Sequence, residues 1–333
     1  MVTEYGIWCS NVTDIRQDQL CSFVKSITLL DKVVLISLNG DASFRRYFRV
    51  EGQPFIAVDA PPQTQKNQEF VTIDIALEKL GIKVPKIISY DLNNGFMLLE
   101  DLGNTTFANV AVGIEQETYY RKAITLLPSI AKVGCKLPLF DDKFIKFELN
   151  IFNEWMLDKA LNVKLTDDEQ QCLNDTYQIL ADGITSQEQV AMHRDYHSRN
   201  LMVCGNDLAV IDFQDMVKGP ITYDLASILF DCYVNLDDKL IENLTFDAYR
   251  LYQKQVFLEQ VDFEKFKYDL RLTSLQRHIK VLGIFCRLHL RDGKDAYLKD
   301  LPRVIDYVVR ECQIDERFAG LSKIIQKYVV GKF

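Results

Sequence analysis

The sequence predicts an α+β chain in two lobes, a small N-terminal antiparallel β lobe with a helix and a larger, mainly helical C-terminal lobe. Three observations carry this. Short apolar runs punctuated by Gly, Asn and Pro crowd the first hundred residues. Apolar positions at helical spacing dominate thereafter. Between those helical stretches, residues 191–213 read as a strand end, a polar loop and a hairpin.

In the first lobe, residues 11–30 place Ile15, Leu20, Phe23, Val24 and Ile27 at helical spacing. Residues 32–60 read as a three-stranded antiparallel meander with strands at 33–38, 46–50 and 54–58, the last two joined by the turn Glu51-Gly52-Gln53. The connection 39–45 joins the first two of these strands. A helix over 66–80 is closed by Gly81. Strands at 84–89 and 96–99 flank the turn Asn93-Asn94-Gly95, and 100–103 leaves the sheet as a hinge. The expected division is 1–102, ending in this segment, and 103–333.

The second lobe carries helical patterns at 115–133, 150–161, 167–183, 223–233, 237–258, 263–291, 302–312 and 317–329. Pro128 is expected to kink or break the first of them. Thr166 with Glu169 is a capping-box signature. The stripe Leu270, Leu272, Leu275, Ile279, Leu282, Phe285 and Leu288 reads as core.

With 333 residues and 48% hydrophobic composition the chain can bury a large core. A net charge of −8 disfavours a general nucleic-acid binder. No apolar run approaches a membrane span, and the N-terminal residues lack a signal-peptide pattern. Eight scattered cysteines without a CxxC pair suit reduced thiols in the cytoplasm. No internal repeat occurs and no protein partner is implied.

Residues 193–200 read His-Arg-Asp-Tyr-His-Ser-Arg-Asn, and Ile211-Asp212-Phe213 follows a hairpin turning at Cys204-Gly205-Asn206-Asp207. A hairpin of that length returns Asp212 to the level of Asn200, beside Asp195. These are the oxygens phosphoryl transfer requires. Asp195 can receive the proton of an attacking hydroxyl, and Asn200 and Asp212 can hold Mg²⁺ against ATP phosphates. His193 and His197 stand four apart, as zinc ligands on a helix would, but strands bracket this loop and no glutamate follows His193. His193 reads as a structural residue under the loop, and His197 as a contact to substrate or phosphate. Arg45, Arg46, Arg194 and Arg199 are candidates for a locally positive field.

On these residues the chain resembles the aminoglycoside phosphotransferase-like kinases, a two-lobed relative of the protein kinases, over nearly its full length. The likeness lies in 193–200, in Ile211-Asp212-Phe213 and in Leu98-Leu99-Glu100-Asp101-Leu102-Gly103. It implies a two-lobed protein-kinase-like fold, ATP and Mg²⁺ as cofactors, and ATP-binding groups at Ser43, Arg45, Arg46, Glu100 and Leu102. It also implies that Asp224 orients the catalytic loop by accepting its backbone N–H groups. Longer stretches (41–48, 59–62, 212–215, 219–225, 276–285 and 291–302) resemble a narrower group of kinases acting on the C1 hydroxyl of N-acetylmuramate and N-acetylglucosamine in peptidoglycan recycling. The implied partner is a small amino sugar. His197, Arg199, Gln214, Asp215 and Tyr223 are the expected acceptor contacts, and Arg199, Lys218, Arg277 and Arg287 the candidate cations for the lactyl carboxylate.

One departure stands out. Protein kinases carry a lysine on the third strand, whereas Ile56-Ala57-Val58-Asp59 places an aspartate there. Arg45 or Arg46 is expected to supply the missing charge. Competing readings keep the fold but change the acceptor to an aminoglycoside, choline, homoserine or a related small alcohol, or leave a silent nucleotide-binding scaffold. Asp195, Asn200 and Asp212 occurring together argues against silence.

Overall fold

The computed structural model describes residues 14–38, 45–255 and 257–333. Ser43 and the loop at 39–44 lie outside the described residues. The chain divides into two compact units. One comprises residues up to Gln68 with Lys86–Asp101, the other Glu69–Pro85 with Leu102–Phe333.

The first unit holds α1 (Ile15–Thr28) and strands β1 (Leu35–Leu38), β2 (Arg46–Val50), β3 (Phe55–Asp59), β4 (Ile87–Asp91) and β5 (Phe96–Glu100). The expected meander and the later strand pair join in one antiparallel sheet, ordered β1-β2-β3-β5-β4. Strand β5 inserts beside β3, aligning Ala57 with Leu98. Central strands have both faces covered, which is why β3 and β5 read as continuous apolar runs. Leu20 and Val24 of α1 close the core over Phe48, Val50, Phe96 and Leu98. Asp59, fully buried, is held by Arg16 and Arg46. The aspartate standing in place of a strand lysine is thus the centre of a two-arginine cluster.

The second unit begins with most of α2 (Asn67–Lys79), whose Phe70 meets Phe213 at 4.8 Å. Then follow α3 (Phe107–Val110), α4 (Gln116–Ile130), α5 (Asp142–Ile151), α6 (Asp167–Thr185), strands β6 (Gln189–Met192), β7 (Leu201–Cys204), β8 (Asp207–Val210) and β9 (Val217–Pro220), and helices α7 (Tyr223–Leu229), α8 (Asp238–Lys254), α9 (Phe263–Asp292), α10 (Leu301–Glu311) and α11 (Ala319–Tyr328).

Pro128 does not break α4. It sits in the last turn, where its missing N–H removes a single bond. The helix expected at 150–161 starts earlier, capped by Asp141 on the Phe144 N–H, and widens into a π-helix over Phe152–Ala160. Helix α9 crosses that junction at Gly283, where a Cβ would lie 2.4 Å from the Ile151 carbonyl oxygen. The Thr166–Glu169 capping box forms as read. Strand β9, paired with β6, has no counterpart in the sequence reading. Among the described residues no helix is long and apolar enough to cross a membrane.

Helix α7 stops at Leu229, short of the expected 233, because the Phe230 backbone turns away and its carbonyl accepts a hydrogen bond from His278 Nε2 at 2.9 Å. His278 Nδ1 faces Glu311 at 2.8 Å, and the ring stacks on Tyr307. Both nitrogens meet acceptors, so the imidazolium form fits. Burial disfavours that charge, but Glu311 overcomes it and lifts the pKa to about 10. A histidine whose folded pKa exceeds its unfolded 6.5 contributes its full stability below pH 6.5 and loses it as pH climbs through 10. The melting temperature of the wild type is therefore expected to fall between pH 6.5 and 10 more steeply than that of His278→Gln. Parallel curves would contradict the assignment.

Candidate active site

Strand β6 delivers the chain into the loop 193–200, and the β7–β8 hairpin, turning at Gly205 with φ +65°, carries it back. Asn200 and Asp212 are brought together. The Ile211 N–H donates to the Asn200 carbonyl at 3.1 Å, and Asn200 Nδ2 lies 3.5 Å from Asp212 Oδ2. The same amide donates to the Asp195 carbonyl at 3.0 Å. Thus Asp195, Asn200 and Asp212 converge within the second unit.

Two non-glycine residues here adopt left-handed backbone, Arg194 at φ 75° and Asp212 at φ 64°. Such conformations cost on the order of 1–3 kcal/mol and persist only where surroundings impose them. For Arg194 the imposing group is Asp224, whose carboxylate accepts from the N–H groups of His193 (2.7 Å) and Arg194 (3.0 Å). His193, buried, donates from Nε2 to the Ile211 carbonyl at 2.9 Å and ties the loop to the hairpin end. Tyr196 anchors the loop below, its hydroxyl on the Ala123 carbonyl at 2.8 Å.

Asp195 sits in a strong field. Burial opposes its ionisation, but the Lys280 ammonium and Arg194 guanidinium, with His197 and His193, hold its pKa far below the usual carboxylate range. Both cations share the buried Glu148, with Arg194 at 2.7 Å and Lys280 at 3.5 Å. Gln276 adds a hydrogen bond to that carboxylate at 3.1 Å. For His197, burial lowers the pKa against the pull of Asp231 and Asp195, favouring the neutral ring.

The Asp212 carboxylate accepts amide hydrogens from Gln214 (2.8 Å) and, more weakly, Asn200. No cationic side chain pairs with it among the described residues, which leaves its charge for a bound cation. Nor does any cluster of three His, Cys, Asp or Glu side chains suited to a metal occur among them. The Asp212 carboxylate and the Asn200 amide oxygen would offer a divalent ion two hard oxygen ligands, the type that Mg²⁺ prefers.

The other expected residues are placed as follows. Arg199 lies over the Tyr233 ring at 3.5 Å. The Asp215 carbonyl accepts from Arg194 Nη1 at 3.4 Å. Tyr223 is fully buried beneath the loop, its hydroxyl accepting from Lys280 at 2.9 Å. In the first unit, Arg45 is buried with Asn67 at 3.4 Å, and Arg46 pairs with Asp14 and Asp59. Glu100 ends β5, and the Leu102 carbonyl faces the Cys204 thiol at 3.8 Å.

Three side chains escaped the sequence reading: Glu148, Lys280 and Asp231. Lysine amid the apolar run of α9 was a signal, since an unpaired cation is rarely buried. Asp231 gave none. Its carboxylate accepts from the N–H groups of Ser198 (2.8 Å) and Tyr233 (2.7 Å), clamping the far end of the loop as Asp224 clamps the near end. Asp231→Ala is expected to lower kcat by about 10–100-fold, the equivalent of one or two charge-assisted hydrogen bonds. Asp231→Asn should recover only part of it, because its single amide oxygen can accept from one of the two N–H groups while its NH2 opposes the other. An Ala variant with wild-type kcat contradicts the clamp.

A five-stranded antiparallel unit and a helical unit carrying this loop and hairpin define a protein-kinase-like phosphotransferase. The chain belongs to the phosphotransferase enzyme family, whose model matches residues 34–254. It is 35% identical over 301 residues to the N-acetylmuramate/N-acetylglucosamine kinase of Pseudomonas putida, covering 89% of each chain. Among solved structures it is similar to an ethanolamine kinase of Plasmodium vivax, with TM-score 0.63 and 13% identity over 89% of this chain and 86% of that one. It is also similar to the ADP-bound aminoglycoside phosphotransferase APH(2'')-Ib, with TM-score 0.58 and 12% identity over 87% and 97%.

Proposed function

We propose that this phosphotransferase uses ATP to phosphorylate the C1 hydroxyl of N-acetylmuramate and N-acetylglucosamine. The observation that carries the reading is the convergence of Asp195, Asn200 and Asp212, and the Pseudomonas relative supports the acceptor.

Asp195 orients the anomeric hydroxyl and takes its proton as the new O–P bond forms and the bond to ADP breaks. That hydroxyl is more acidic than an ordinary alcohol because the ring oxygen withdraws electron density. With its pKa so depressed, Asp195 is a weak ground-state base. Orientation is its first contribution, and the proton leaves late, as suits a loose transition state. The Asn200 amide oxygen and the Asp212 carboxylate would hold Mg²⁺, which offsets charge on the phosphate oxygens when bound. Asp224, Asp231 and His193 keep the loop in register. His197, Arg199, Gln214 and Asp215 supply polar groups for the sugar, and Tyr223 acts on it through Lys280. For the nucleotide, Arg45 or Arg46 supplies positive charge, with Arg45 the better placed, Ser43 supplies a phosphate contact, and the backbone at Glu100 and Leu102 meets the adenine edge. The two carboxylates on Arg46 already offset its charge.

Coupled ADP release against a panel of N-acetylmuramate, N-acetylglucosamine, choline, ethanolamine, homoserine and aminoglycosides tests this. Turnover confined to the two amino sugars is expected. Turnover with an amino alcohol or antibiotic alone moves the chain to another acceptor class, and none with any acceptor leaves a silent scaffold.

A further inference from the structure

Arg277 of α9 is 3% exposed, and its Nε and Nη1 are sealed from solvent without a hydrogen bond. It forms no ion pair among the described residues. A buried guanidinium left so is among the most costly arrangements a core can hold, so a partner is called for. The neighbouring cations differ, since Arg194 and Lys280 share Glu148. The neighbouring acids are committed elsewhere. Asp224 serves the N–H groups of His193 and Arg194, and Asp231 those of Ser198 and Tyr233.

Its position is also particular. The guanidinium lies 5.4 Å from the centre of the Tyr223 ring, whose hydroxyl is bonded to Lys280. Its charge is felt at His197, two residues from Asp195. The other candidate cations sit differently. Lys218 is exposed, Arg199 is spread over Tyr233, and partly buried Arg287 lies in the field of Arg291, Asp292 and Glu154.

We propose that Arg277 selects the acceptor, its planar fork receiving the carboxylate of the lactyl ether that N-acetylmuramate has and N-acetylglucosamine lacks. This rests on the amino-sugar kinase reading above. A guanidinium matches a carboxylate with two parallel hydrogen bonds, which a point-charge ammonium cannot reproduce.

The test is the ratio of kcat/KM for N-acetylmuramate to that for N-acetylglucosamine, measured in the wild type, Arg277→Gln and Arg277→Lys, with the methyl ester of N-acetylmuramate as a third substrate. Loss of a buried charge-assisted pair predicts that the ratio falls about 100-fold in Arg277→Gln and less in Arg277→Lys. Esterification should cost the wild type a similar factor and cost Arg277→Gln little. A ratio unchanged in both variants, whatever their absolute rates, overturns the proposal. So does an equal loss on both sugars, which points to a contact with the transferred phosphoryl group. Should neither variant fold, an ester as good as the free acid in the wild type overturns it and a 100-fold poorer ester upholds the carboxylate contact. Wild-type enzyme inactive on both sugars would remove the substrate reading itself, a failure distinct from the others.

Discussion

Asp195→Ala lowers sugar-dependent ATP turnover by roughly 10³–10⁴-fold and leaves nucleotide affinity within a few-fold of wild type. The split follows from the geometry. The Asp195 side chain lies in the field of Lys280 and Arg194, while the oxygens proposed to hold the nucleotide's metal belong to Asn200 and Asp212. The Asn200 amide bonds to the Asp195 backbone carbonyl, which alanine retains. Steady-state kinetics with saturating sugar gives the turnover, and calorimetric titration with a non-hydrolysable ATP analogue gives the affinity. Near-normal turnover in the variant would falsify the assignment of Asp195.

Glu148→Gln has the largest expected effect on stability. Glu148 is 2% exposed and is the counter-ion of two cations, the partly buried Arg194 and the buried Lys280. Glutamine keeps the shape and removes the charge, taking from both cations the ion pair they share at a cost of about 3–5 kcal/mol. Burial opposes the Glu148 charge, but Lys280 and Arg194 overcome it and lower the pKa below 4.5. Such a carboxylate stabilises the fold above its unfolded pKa and ceases to as pH falls through the folded one. The wild type should therefore lose stability progressively below pH 4.5, and Glu148→Gln should show a lower melting temperature at pH 7 with a flatter acid limb. A variant melting like the wild type at pH 7 would show that Arg194 and Lys280 find other counter-ions.

The order of strands and helices was legible because burial leaves periodic traces. Residues 33–58 and 96–99 alternate or run apolar, and α9 carries its stripe. The loop at 193–200 and its hairpin were legible because their chemistry is local in sequence, and Gly205 marks the turn. Glu148 and Asp231 were not, because each acts on a backbone or charge more than thirty residues away. The end of α7 was equally hidden, since His278 fixes it from another helix. Strand β9 is four residues long and contains Gly and Pro, so it resembles a loop until it pairs with β6.

The most direct measurement is where the phosphate goes. Phosphorus–proton correlation NMR on the product from N-acetylglucosamine and ATP should couple the new phosphorus to the proton on C1, and the 1-O-methyl glycoside should release no ADP. Phosphate on any other hydroxyl, or turnover of the glycoside at the rate of the free sugar, would contradict an anomeric kinase built around Asp195.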